Sequence, residues 1–393
     1  MGRKPCLYGE LMVADGPVAP VSSPIVLYGA TGHTGRLIAE RLSLAGAAPL
    51  LVGRDAGRVS ALARELGGAP HAVADSRRPE TLSELVPPGS VLVSTVGPFA
   101  RWGEAALSAT IASGATYLDS TGEPSFIAGV FGRDAAARRT GATLLTAMGY
   151  DYVPGALAGA LALRRGGDSA VRVEIGYFAP GRRASAGLSR GTRRSAAGVL
   201  LHPSFAFRDA ELRMVRSGER ARRFHVDGSP RPALSVGGAE HFGLPAVFGN
   251  LEEVNVYVGW FGGATPWLRA GCAALSRPAS SAAVRERLVR IADRLADRPT
   301  DAIPEGAGET LVVASAHDRG GSTLARVVLC GPEPYTFTAD FIAWAALRAA
   351  RSGVRAGALG PLGAFGLAGL GEGCAAAGLH VIDGAPHRGI SRF

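Results

Sequence analysis

The chain has 393 residues, 47% of them hydrophobic and 19% charged, with a formal net charge of +9. This length accommodates two domains with a sizeable core, and the composition is that of a globular enzyme rather than a disordered or collagen-like chain. The positive charge does not point to nucleic acid, because Lys4 is the only lysine against 41 arginines, the arginines are spread along the chain, and no nucleic-acid module is present.

The densest basic stretch, 182 to 223, reads as a solvated face or as an attractor for an anionic substrate. The four cysteines, Cys6, Cys272, Cys330 and Cys374, show no metal-ligand spacing. No metal site is expected, and a reduced cytoplasmic protein fits best. Residues 1–23 carry charges and three prolines instead of the apolar core of a signal peptide, so they read as a flexible extension. No later apolar stretch has the length and composition of a transmembrane span.

The first clear element is the apolar run 25–28, followed by Gly29-Ala30-Thr31-Gly32-His33-Thr34-Gly35 and an amphipathic continuation from Arg36. A buried strand, three glycines with two residues between each pair, and a helix form the turn that cradles a dinucleotide. Gly29 allows the tight turn, Gly32 lets the backbone approach a pyrophosphate, and Gly35 lets helix and sheet pack closely. His33 sits inside this loop, as a phosphate contact or as a solvated residue at the helix start. The free N–H groups and positive dipole end of the helix complete the anion site.

Strand and helix patterns then alternate. Strands are expected at 50–54, 71–75, 90–96, 116–119 and 142–146, with helices between them, which predicts a doubly wound parallel sheet over 24–150. The second strand ends in Gly53-Arg54 where an NAD site usually carries an acid, so the expected cofactor is NADPH, its 2′-phosphate held by Arg54. Asp55 reads as the cap of the next helix. Asp75 is placed to meet adenine, and Thr95-Val96-Gly97-Pro98-Phe99 to run past the nicotinamide.

After Pro154 the pattern changes. Strands near 171–178, 253–258, 309–315 and 323–330, without intervening helices, predict an α+β substrate domain over 151–334 with a mainly antiparallel sheet. Long loops are expected between 183 and 250. The tail, 335–393, reads as two helices and a short strand that return to the first domain.

Familiar catalytic machinery is missing. A single lysine removes a tyrosine-lysine relay and any Schiff base, and neither a nucleophile elbow nor a zinc cluster is present. Hydride transfer from a nicotinamide needs no protein nucleophile, but most acceptors need a proton donor.

Tyr28–Gly35, Gly53–Asp55, Val96–Phe99, Tyr117–Glu123 and Gly149–Pro154 together resemble the saccharopine dehydrogenase-like oxidoreductases, in particular the branch of bacterial trans-acting enoyl reductases. Ser189-Arg-Gly-Thr192 and Asn255-Val-Tyr257 are similar to shorter family segments, whereas the Thr-Pro pair common in the family's tail is absent. The resemblance implies NADPH-dependent reduction of a polarised C=C or C=N bond in a small-molecule or carrier-linked substrate, with a homodimer as an option. It implies substrate contacts at Asp119, Thr121, Gly122, Ser189, Thr192 and Tyr257, and proton handling among Glu123, Tyr150, Asp151 and Tyr152, with a tyrosine the expected proton donor because no lysine or paired histidine competes for the role. Glu123 is equally suited to capping the helix that starts at Pro124, and the residues 150–152 to fixing the hinge. The competing readings are a saccharopine-type C–N dehydrogenase and a noncatalytic NADPH sensor or scaffold.

Overall fold

The computed structural model describes residues 23–178, 203–226, 228–275 and 309–382. The predicted alternation is present in the first part of the chain, through β1 (Ile25–Tyr28), α1 (His33–Leu44), β2 (Leu50–Gly53), α2 (Ala56–Glu65), β3 (His71–Val73), α3 (Glu80–Ser83) and β4 (Val91–Ser94). It continues with α4 (Phe99–Trp102), α5 (Glu104–Ser113), β5 (Thr116–Asp119), α6 (Pro124–Phe131), α7 (Asp134–Thr140) and β6 (Thr143–Leu145). These strands pair in parallel, and the period-two pattern sorts their side chains between two cores. Leu27, Val93, Leu118 and Leu145 pack with Ile38 and Leu42 of α1. Val26, Leu92, Tyr117 and Leu144 turn to the other face and pack with Leu82, Leu107 and Ala137. Helices therefore cover both faces, as a parallel sheet requires.

The long helix α8 (Val153–Gly166) leads to β7 (Arg172–Phe178), β8 (Pro203–Arg208), β9 (Glu211–Arg216), β10 (Ala221–Val226) and β11 (Ser229–Ser235). A short helix α9 (Glu240–Gly243), β12 (Glu253–Val258), α10 (Thr265–Leu275), β13 (Thr310–His317) and β14 (Thr323–Gly331) complete this part. The second sheet runs β10-β11-β12-β7-β13-β14, with β8 and β9 attached to β12. Only β12 and β7 pair in parallel; the other pairings are antiparallel.

The strands β8 to β11 correct the expectation of long loops between 183 and 250. They form two hairpins whose turn residues Asp209, Ala210 and Gly228 all have positive φ. Left-handed backbone at two successive residues matches the twist of a hairpin, but Asp-Ala is an unusual pair for it, and arginines and prolines dilute the alternation.

The tail divides between the two sheets. Helix α11 (Pro334–Ser352) packs along α1, and Arg41 of α1 is ion-paired with Asp340 at 2.5 Å. Strand β15 (Gly357–Leu359) then adds to the free edge of β6, giving the first sheet the order β15-β6-β5-β4-β1-β2-β3. After α12 (Pro361–Ala376), β16 (His380–Ile382) pairs with β14 in the second sheet. Among the described residues, no helix is long and apolar enough to cross a membrane.

The chain crosses between the sheets at 149–153 and again at 331–338, and the two crossings touch. Tyr150 N–H donates to Thr338 Oγ1 at 3.0 Å, and Thr310 Oγ1 donates to the Pro332 carbonyl at 2.9 Å.

Candidate active site

In the first sheet β1 lies between β2 and β4, so strand order reverses there and the crevice at the carboxyl ends of β1 and β4 is where such folds bind ligands. The glycine loop leaves β1 at this point. Gly29 has φ +90°, and its N–H and that of Ala30 both donate to the Val52 carbonyl, which folds the loop back over β2. A Cβ on Gly35 would lie 2.2 Å from the Gly29 carbonyl oxygen, so the loop closes on the first turn of α1 only with glycine there. The first backbone bond into this helix is Arg36 N–H to Gly32 O, which leaves the N–H groups of His33, Thr34 and Gly35 without a partner inside the helix.

Thr95 locks the opposite wall. Its N–H donates to the Tyr28 carbonyl at 2.9 Å and its Oγ1 to that of Gly29 at 3.1 Å, tying the end of β4 to the loop. A Cβ on Gly97 would meet nothing closer than the Phe99 ring at 3.6 Å. The protein itself makes no steric demand for glycine there, in contrast to Gly29 and Gly35. The Gly97–Pro98 peptide is cis.

Arg54 is exposed at the end of β2, and Asp55 caps α2 by accepting the Arg58 N–H at 3.0 Å. Arg58, which the sequence reading did not single out, donates from Nη2 to the Thr31 carbonyl at 3.1 Å. A second guanidinium is thereby fixed on the glycine loop one helical turn past Arg54. Asp75 accepts the Arg77 N–H at 3.0 Å and so organises its own turn at the end of β3. Tyr335 of α11 was also missed; its ring stands edge-on to His33 at 4.9 Å, bringing the tail to the loop.

The acids expected to face substrate divide by environment. Asp119 is fully buried and accepts from Thr121 N–H, Ala147 N–H and Thr146 Oγ1 at 2.8–3.0 Å. Burial pushes its carboxyl up to about 6, against the opposing pull of these bonds. It pins the loops after β5 and β6 and accepts from Ala147, whose φ is +58°, so its structural role is filled by the protein's own donors. Glu123 accepts Phe99 N–H at 2.8 Å and Ala100 N–H at 3.0 Å. It therefore caps α4 rather than the helix that begins at Pro124, and clamps the segment after Gly97 to that after β5. Thr121 accepts the Glu123 N–H, completing this brace.

Asp151 is half-buried, and a Cβ on Gly122 would lie 3.2 Å from its Oδ2. Burial pushes this carboxyl up to about 6. Tyr152 is buried, with its hydroxyl 3.4 Å from the Gly122 carbonyl. Gly122, Asp151 and Tyr152 thus meet beyond the carboxyl end of β5.

Tyr150 lies apart from them. It is 2% exposed, with its ring packed edge-on to Tyr177 and Phe337 at the crossing between the sheets. Burial and ring packing there suit a hinge role for Tyr150. Tyr150→Phe is expected to keep kcat close to wild type; a loss of about a hundredfold, the size of a missing general acid, would return Tyr150 to the chemistry.

Tyr257 packs with Phe178, Phe224 and Leu311. That is the face of the second sheet opposite Tyr177, so the structure does not bring Tyr257 to the Asp151 group. Ser189 and Thr192 lie outside the described residues. Among the described residues, no cluster of His, Cys, Asp or Glu could hold a metal ion.

No family model matches the chain. A Mycobacterium tuberculosis protein provisionally named a trans-acting enoyl reductase is 40% identical over 148 residues, 35% of each chain. The trans-acting enoyl reductase of Mycobacterium leprae is 38% identical over 139 residues, 33% of each chain. The match thus spans about a third of the length of these relatives. Saccharopine dehydrogenase (L-Glu forming) from Saccharomyces cerevisiae superposes with a TM-score of 0.53 at 12% identity, covering 92% of this chain and all of that one. The chain carries this dehydrogenase fold, and over a third of its length it is related to the enoyl reductases, in agreement with the family resemblance read from its motifs.

Proposed function

We propose that the chain is an NADPH-dependent reductase that transfers hydride to a polarised double bond of a small-molecule or carrier-linked substrate, C=C in preference to C=N. The observation that carries this reading is the glycine loop at the switch point of the first sheet, with Arg58 bonded to it and Arg54 beside it. Relatedness to proteins named enoyl reductases supports the C=C preference.

The residues fit the cofactor. The loop from Gly29 to Gly35 and the first N–H groups of α1 would hold the pyrophosphate, Arg54 and Arg58 the 2′-phosphate, and the turn at Asp75 the adenine. The segment from Thr95 to Phe99, braced by Glu123, would position the nicotinamide, and the unfilled space at Gly97 would let it approach. When bound, NADPH supplies the hydride. The protein's own task is then to orient the acceptor and deliver a proton. We assign delivery to Asp151, the half-buried acid beyond the end of β5, with Gly122 and Tyr152 shaping its surroundings.

The test is NADPH oxidation by the full chain with a crotonyl thioester and, in parallel, a cyclic imine. Turnover with the thioester and NADPH is the expected result. Turnover with the imine alone would move the assignment to C=N reduction, and stoichiometric NADPH binding without turnover of any acceptor would favour a sensor.

A further inference from the structure

Glu240 is an acid that no sequence motif marks and that the mechanism above does not use. It opens α9, is 1% exposed, and forms no ion pair among the described residues. Tyr177 of β7 donates its hydroxyl hydrogen to Glu240 Oε1 at 2.7 Å and accepts the Gly155 N–H at 2.9 Å. A Cβ on Gly155 would lie 2.1 Å from the Tyr177 hydroxyl and 2.3 Å from Glu240 Oε1, so the first turn of α8 has room for this pair only because residue 155 is glycine. The other oxygen, Oε2, is buried without a hydrogen-bond partner. A Cβ on Gly238 would lie 2.4 Å from Oε2 and 2.7 Å from the Tyr152 ring, which sets Oε2 on the side of Tyr152, the residue that follows Asp151 in the chain. An unpartnered buried carboxylate oxygen is costly, whereas a carboxylic acid there keeps one oxygen as acceptor and a proton on the other.

We propose that Glu240 and Asp151 form a two-carboxyl proton store beside the end of β5, in which Glu240 holds the proton that Asp151 hands to the substrate. The inference rests on the reductase reading and deepens it. In each turnover the acceptor takes one hydride from NADPH and one proton from Asp151. Asp151 receives that proton from Glu240, and water restores it to Glu240, so charge and atoms balance. Glu240 acts through Asp151 and is a positioning residue.

The surroundings favour a protonated acid. Tyr177, Tyr152 and Asp151 are the ionisable groups nearest Glu240, with Tyr150 behind Tyr177. The adjacent His241 is buried and pushed down to about 4, hence neutral. Arg208 of β8 is ion-paired with Glu219, Glu253 and Tyr257 of β12 alternate to the opposite face of the sheet, and Glu372 of α12 is exposed beside Arg348. Burial, reinforced by the Asp151 charge and opposed by the Tyr177 bond, pushes Glu240 up to about 8. With Asp151 at about 6, the two carboxyls hold one proton between them from roughly pH 6 to 8, and the apparent values belong to the pair.

Two measurements on the full chain test this. Infrared titration without cofactor should show a protonated-carboxyl band that persists at neutral pH and disappears near pH 8; Glu240→Gln should lose it. With NADPH and a crotonyl thioester, Glu240→Gln should lower kcat at neutral pH about tenfold or more, leave the KM for NADPH unchanged, and move the alkaline limb from near 8 toward 6. Glutamine imitates the protonated acid in shape and hydrogen bonding, so a purely structural Glu240 would tolerate it with an unchanged pH profile. Tyr177→Phe removes a bond that favours the anion and should move the limb the other way, to higher pH. Absence of the infrared band at neutral pH, or wild-type kcat and pH profile in Glu240→Gln, overturns the store. Wild-type protein that oxidises no NADPH with any acceptor overturns the reductase reading instead, and the infrared band still decides whether the store exists.

Discussion

Replacing Arg54 by alanine is expected to raise the KM for NADPH by about tenfold to a hundredfold and to leave that for NADH almost unchanged, because charge-assisted bonds to a phosphate contribute about 1.5–3 kcal/mol each and NADH has no 2′-phosphate to lose. Arg58→Ala acts in the same direction. The bond from Arg58 to Asp55 uses the backbone N–H, so alanine at 58 keeps the cap of α2 while removing the guanidinium from the Thr31 carbonyl. The double variant should reverse the preference to NADH. Steady-state kinetics with both nucleotides check this; equal losses for both would show that the arginines serve the loop's shape rather than the phosphate.

Gly35→Ala is expected to abolish useful cofactor binding, with the Kd for NADPH rising at least a hundredfold, or about 2.7 kcal/mol. The added methyl would lie 2.2 Å from the Gly29 carbonyl oxygen and 2.9 Å from its carbon, both backbone atoms that no rotamer change can move aside. Either the loop lifts from α1, spoiling the phosphate cradle, or the helix shifts against the sheet, costing about 1–3 kcal/mol of stability. Calorimetric titration with NADPH alongside thermal unfolding separates the two. Gly97→Ala should leave Tm near wild type while weakening binding, since nothing in the protein crowds that position.

What the sequence made legible follows the range of the interactions involved. The first sheet could be read because each parallel strand is a continuous apolar run next to its own helix. The cradle could be read because Gly29, Gly32 and Gly35 keep a fixed spacing between a strand and the helix that directly follows it. Arg54 announced itself by standing where an acid is usual. Arg58, Tyr335 and Glu240 did not, because each acquires its role from a partner far along the chain: Thr31, His33 and Tyr177. Asp119 and Asp151 look alike as letters, yet one is saturated with three hydrogen bonds and the other is half-buried beside Gly122. Tyr257 and Tyr177 differ by the parity of a strand position, which sends one ring to each face of the same sheet. The hairpins of β8 to β11 were hidden by Asp-Ala in a turn where Asn-Gly is the usual signal.

The division of the tail between the two sheets bears on how the chain is made. Strand β6 ends at Leu145, but its neighbour β15 begins at Gly357, and all three residues of β6 are buried in the finished fold. At about 5–20 residues per second, a ribosome needs roughly ten to forty seconds to synthesise the intervening chain. For that interval an apolar strand presents an open row of backbone donors and acceptors, with no lysine and no proline on it to discourage pairing with another nascent chain. Synthesis of 357–359 covers that edge and leaves a strand of only three residues, β15, as the outer edge of the sheet, and a very short edge strand is a poor template for pairing with another chain.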